Sequence, residues 1–167
     1  MRWLLFGFLL CSSPTLLAQA TDCACCTDAH RQFDFWVGDW EVYVADTLSG
    51  FNEIKPLHDG CILQENYRAK GSDFTGTSYN FYNVRTQTWH QTWVDNKGSS
   101  LQLTGKLSAG SMVLRGQPFQ NAQGDTLINR ITWTPLAGDR VSQNWEMSKD
   151  GGNSFFTVWR GEYRRKE

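Results

Sequence analysis

The sequence predicts an all-β fold: an antiparallel up-and-down barrel of about ten strands, plugged by a short N-terminal helix. Three observations lead there. Glycine (15 residues) and tryptophan (8) are abundant in the 167-residue chain, and few Leu or Ala support long helices. Clusters of turn-forming residues recur at short intervals, with apolar residues alternating between them. The turns are too short for crossover helices, so consecutive strands pair as a meander, and a meander this long leaves two open edges unless it closes.

The elements follow in order. Met1-Arg2, an apolar run from Trp3 to Leu10 and the small-residue site Ala18-Gln19-Ala20 make up a secretory signal peptide over residues 1–20. The run is too short to span a bilayer, and no later stretch would anchor the chain. Cys11 follows Leu10 where a lipoprotein signal wants Gly or Ala, so cleavage after Ala20 is favoured over lipidation. The expected location is secreted or periplasmic, with 147 residues remaining, enough for one core. Residues 21–32 form a cysteine-rich segment and residues 33–167 the barrel.

Thr27-Asp28 followed by Ala29, Phe33 and Trp36 predicts a capped helix that closes one end. Gly38 leads into the first strand, where Trp40, Val42 and Val44 share a face. Thr47–Gly50 reads as the first turn and His58-Asp59-Gly60 as the second. Further turns fall at 70–73, 83–86, 95–98, 109–110, 121–124, 135–138 and 150–153. The hairpin from Ser148 to Phe155 resembles the Asp-box turn of sialidase propellers, a structural element in which Asp150 would bond the loop backbone.

Cys23, Cys25, Cys26 and Cys61 remain after cleavage, an even set in an exported chain, which suggests disulfides. A ring between adjacent Cys25 and Cys26 is strained. In either other pairing Cys61 joins Cys25 or Cys26, closing a loop of about 35 residues at roughly 3–4 kcal/mol of stabilisation. Metal binding by Cys23, Cys25, Cys26 and His30 is the alternative, but the spacing offers a single Cys-x-x-Cys, Cys23 to Cys26, and not the two such pairs of well-formed zinc sites. No metal or cofactor is expected.

The faces that carry tryptophan also carry amides: Trp89, Gln91 and Trp93; Val141, Gln143 and Trp145; Leu127, Asn129, Ile131 and Trp133; Phe155, Thr157 and Trp159. Pointed inward, they would line a small-molecule pocket. The alternative is a packed or hydrated interior whose amides bond to backbone and water. Trp89, Gln91, Trp93, Gln143 and Trp145 are the candidate ligand-binding residues. Glu65 shares a face with Cys61, Leu63 and Tyr67. Solvated, it is unremarkable; buried, with Arg130 a possible partner, it would be a general acid or base.

Other chemistry is weakly supported. With Arg2 gone, 15 basic residues face 17 acidic ones in interspersed order, which gives no electrostatic case for nucleic acid or anionic lipid. Gly-x-Ser-x-Gly, His-Glu-x-x-His and phosphate-binding glycine loops are absent. His30 lies in the plug, His58 at a turn, and His90 in opposite phase to the tryptophans. That phase weighs against a haem ligand and a Ser-His triad alike.

Phe33-Asp34-Phe35-Trp36-Val37-Gly38-Asp39-Trp40, with Asp59-Gly60-Cys61, Gly76-Thr77-Ser78, Trp93-Val94-Asp95, Arg130-Ile131-Thr132-Trp133 and Tyr163-Arg164-Arg165, resembles a group of uncharacterised exported bacterial proteins in the lipocalin-like (calycin) superfamily. The resemblance spans the mature chain. It implies a lipocalin- or fatty-acid-binding-protein-like barrel with Trp40 low in its closed end, covered by an arginine of the last strand: Arg160, Arg164 or Arg165. Calycins mostly bind small hydrophobic molecules, so the expected function is binding of a small, partly hydrophobic partner. The alternatives are an enzyme using Glu65 and a haem barrel of the nitrobindin type.

Overall fold

The computed structural model describes residues 23–166; the predicted leader, with Cys11 and Ala20, lies outside the described residues. Eleven strands follow a short N-terminal segment. They are β1 Gly38–Val44, β2 Thr47–Leu57, β3 Ile62–Ala69, β4 Thr75–Asn83, β5 Thr88–Asp95 and β6 Ser100–Ser108. β7 Ser111–Arg115, β8 Phe119–Gln120, β9 Thr126–Leu136, β10 Arg140–Ser148 and β11 Phe156–Arg165 complete the set. Every pairing is antiparallel. β7 pairs directly with β9, and β11 returns to β1, so ten strands close into a barrel. β8 is an extra strand of two residues, folded back on β9. Among the described residues no helix is long and apolar enough to cross a membrane.

The first turn is not at Thr47–Gly50. Ala45 and Asp46 take positive φ (46° and 64°) and make a two-residue hairpin whose twist suits the flanking strands. Gly50 lies inside β2 for a steric reason: a Cβ there would meet the Tyr67 hydroxyl at 2.6 Å. The second turn stands as expected, with His58, Asp59 and Gly60 all at positive φ.

The plug is two short pieces, not one helix. α1 covers Asp28–Arg31 and a separate 3-10 turn covers Asp34–Trp36, with Phe33 between them in a non-helical conformation. Thr27 turns its hydroxyl to His30 Nδ1 (2.7 Å) and makes no side-chain cap to the backbone. The break lets Phe33 stack on Trp36, with ring centroids 4.9 Å apart. Both rings sit in the barrel's end with no exposed surface, and Trp89 and Trp133 meet Phe33 edge-on. Offset and edge-on aromatic pairs contribute about 0.5–1.5 kcal/mol each beyond the area they bury.

β1 locks this end. The Trp40 indole donates to the Trp36 carbonyl (2.8 Å), and the Arg165 guanidinium lies 4.1 Å over the Trp40 ring. Arg165 also donates to the Val37 carbonyl and grips Asp139. Of the three arginines implied by the resemblance, Arg165 is the cover. Gly38 (φ 139°) permits it, because a Cβ there would fall 1.6 Å from Arg165 Nη1. Disulfides join Cys23 to Cys26 and Cys25 to Cys61, tying the plug to the start of β3. With all four thiols bonded, no His/Cys/Asp/Glu cluster that could hold a metal is present among the described residues.

A register shift between β10 and β11 corrects one face assignment. Trp145 pairs with Trp159 but Glu146 pairs with Thr157, so Val158 is an extra residue. Trp159 therefore points inward, while Phe155 sits outside under the Arg130 guanidinium (3.7 Å). The Asp150 turn is structural, as its resemblance suggested: the carboxylate accepts from Ser148, from the Ser154 hydroxyl and from the Ser154 backbone. Those bonds hold its pKa far below the usual carboxylate range.

Candidate ligand cavity

The plug fills only one end of the barrel. Toward the other end lies a cavity of about 740 Å³, within the range of small-molecule sites. Its apolar wall includes Trp93, Trp145, Trp159, Leu101, Ile131 and Met147, with Phe74 and Phe119 at the rim. Two glycines leave room for the indoles. A Cβ at Gly76 would lie 2.0 Å from the Trp93 ring, and one at Gly161 would lie 2.2 Å from the Trp159 ring. These rings lie across backbone positions that carry no side chain, which fixes their orientation.

Of the five candidate binding residues, Gln91, Trp93, Gln143 and Trp145 line the cavity. Trp89 does not: it lies deeper, against Phe33 and Tyr82, with its indole nitrogen donating to Gln32 (3.3 Å). No histidine lines the cavity. His30 packs against Tyr82, and His90 stacks on Phe81 and bonds to Thr88.

The cavity amides have assigned directions. Trp145 donates to Asn129 Oδ1 (2.8 Å) and Trp133 to Gln143 Oε1 (3.1 Å), and the Tyr163 hydroxyl also donates to Gln143 Oε1. Indole nitrogens only donate, so both amide oxygens must face them.

Glu65 is 5% exposed, on the inner face of β3, and it lines the cavity. It is neither solvated nor paired with Arg130, which reaches outward to Glu146 (3.0 Å). Asn52 donates to one Glu65 oxygen (2.7 Å) and Ser78 to the other (2.5 Å). Asn80 and Gln91 donate in turn to the Ser78 oxygen, at 2.8 and 3.4 Å. Burial raises the Glu65 pKa to about 7, outweighing the hydrogen bonds from Ser78 and Asn52 that lower it. Tyr163, buried beside Glu65, is raised well above its usual value, and Tyr67 is raised chiefly by burial.

This shift makes folding stability pH-dependent. The folded state holds the Glu65 proton more tightly than the unfolded chain, so the contribution is complete below about pH 4.5 and is lost as pH rises through about 7. Tyr163 and Tyr67 stay protonated throughout that window. Relative to Glu65→Gln, the native protein should lose roughly 3 kcal/mol of unfolding free energy between pH 4.5 and 8. Urea titrations of both proteins across that range measure the difference, and parallel profiles would show that Glu65 ionises as freely folded as unfolded.

Asn52 was not singled out in the sequence, and Ser78 and Tyr163 entered only as parts of the motifs that carry the resemblance, with no role in a site. Their signal was there: Gly76, Ser78 and Asn80 alternate with Thr77, Tyr79 and Phe81. Yet it is the small, polar set that points inward, with Ser78 and Asn80 fully buried and Tyr79 45% exposed. No family model matches this chain, and no curated protein matches it.

Proposed function

We propose that this is an exported barrel that binds a small, partly apolar molecule in the open half of its interior. The observation that carries the reading is the cavity: about 740 Å³, walled by three indoles and aliphatic side chains, with a few oriented polar groups. Export is supported by the Met1–Ala20 pattern and by two disulfides, which persist in oxidising compartments. The resemblance to lipocalin-like proteins supports the same function.

The enzymatic alternative rests on Glu65, whose pKa of about 7 suits a general acid or base. Its closest partner, Ser78, has no exposed surface and does not line the cavity, so it is no nucleophile for a bound substrate. The haem alternative finds no imidazole on the cavity wall. Binding is therefore the favoured reading.

Titration with a panel of small apolar molecules should give saturable quenching of tryptophan fluorescence, because Trp93, Trp145 and Trp159 face the ligand. Trp145→Leu should weaken binding of a responding molecule about tenfold, or about 1.4 kcal/mol. A flat signal across the whole panel would sink this reading.

A further inference from the structure

The polar network around Glu65 runs one way. Asn52 Nδ2 donates to the first carboxylate oxygen. Asn80 and Gln91 both donate to the Ser78 oxygen, which leaves the Ser78 hydroxyl proton for the second. In turning its nitrogen to Glu65, Asn52 leaves its own buried Oδ1 without a partner among the described residues; Asn80, whose nitrogen also donates to the Leu63 carbonyl (3.1 Å), does the same. Orphaned buried acceptors cost free energy. Donors that converge at that cost suit a negative charge.

No positive charge answers it. Among the described residues, no Lys, Arg or His lines the cavity, and Glu65 takes part in none of the ion pairs. The second carboxylate on the wall, Asp95 at the rim, adds to the imbalance. Around these two acids stand Trp93, Trp145, Trp159 and Tyr67, aromatic side chains whose ring faces attract cations through their quadrupoles.

We propose that the ligand is an organic cation: an alkyl or aryl ammonium whose charged head meets Glu65 and whose apolar body lies along the indoles. This rests on the binding reading and narrows it to one class. A carboxylate ligand would meet two acids and no base. A neutral ligand of the same shape would gain nothing from the carboxylate.

Three probes with one chain length separate the possibilities: decylamine (cationic at neutral pH), 1-decanol and decanoate, each titrated against the intact two-disulfide protein at pH 7.5. Decylamine is expected to bind at least tenfold more tightly than decanol, and decanoate more weakly than both. In Glu65→Gln the ratio of amine to alcohol affinity should fall to about one. Calorimetry of the native protein at pH 6.5, in buffers of different ionisation enthalpy, supplies a readout that needs no variant. Decylamine should displace a fraction of a proton from Glu65 and decanol none. The titratable groups facing Glu65, Tyr163 and Tyr67, keep their protons at this pH, and Asp95, held below its usual pKa by its own turn, has already lost its proton. If decanol or decanoate binds as well as decylamine, or no proton is displaced, the cation proposal is overturned while the cavity reading stands. If none of the three binds, both fall.

Discussion

Trp133→Ala is expected to lower the free energy of unfolding by about 3–5 kcal/mol, the range for truncating a fully buried aromatic side chain. Trp133 has no exposed surface. Its ring meets Phe33 edge-on at 5.3 Å and Trp36 at 5.4 Å, and its nitrogen donates to Gln143. Alanine would remove all three contacts and open a void that the strand backbones, held by pairing on both sides, cannot close. Urea unfolding monitored by circular dichroism measures the loss. A cost below 1 kcal/mol would mean that the plug holds its place without the barrel wall.

Removal of the Cys25–Cys61 bond is expected to rank next. The bond spans 36 residues, and in the chain-entropy model a closed loop of that length stabilises by roughly 3–4 kcal/mol. For a domain of this size that corresponds to a fall of about 10 °C in Tm. The pair Cys25→Ala and Cys61→Ala, made together to avoid a free thiol, tests it by calorimetry. Cys23–Cys26 spans only 3 residues, so its removal should cost less, roughly 2 kcal/mol. The ordering is the sharper test. If the short bond proves as costly as the long one, loop closure is not how these bonds stabilise the protein.

What the sequence made legible, and what it did not, divides along a physical line. Period-two alternation reports which face of a strand a residue occupies, and it placed Gln91, Trp93, Gln143 and Trp145 inward. It carries no information on depth along the barrel axis. Trp89 and Trp93 share a face of β5, yet one packs under the plug and the other lines the cavity. Alternation also fails where one residue is inserted. Val158 has no turn chemistry to betray it, so Phe155 was placed with Trp159 and is found outside. Cysteine counting narrowed the pairings to two but could not choose between Cys25 and Cys26. The environment of Glu65 was hidden for another reason. Asn52 and Ser78 come from the neighbouring strands β2 and β4, and only the register between strands, with Glu65 opposite Ile54 and Ser78, makes them its partners.

The pairing of β11 with β1 fixes when this protein can become itself. Trp40 stands opposite Arg165, so the first strand finds its second neighbour only in the last segment of the chain. Until Phe156–Arg165 has been delivered, β1 and β10 both remain open edges, and the Arg165 cover over Trp40 cannot form. Completion is thus a late, long-range event, of the kind that puts β topologies in the millisecond-to-second range of folding times. Under the export proposed above, that order would be an advantage: the barrel cannot close around itself before its C-terminal strand has been delivered.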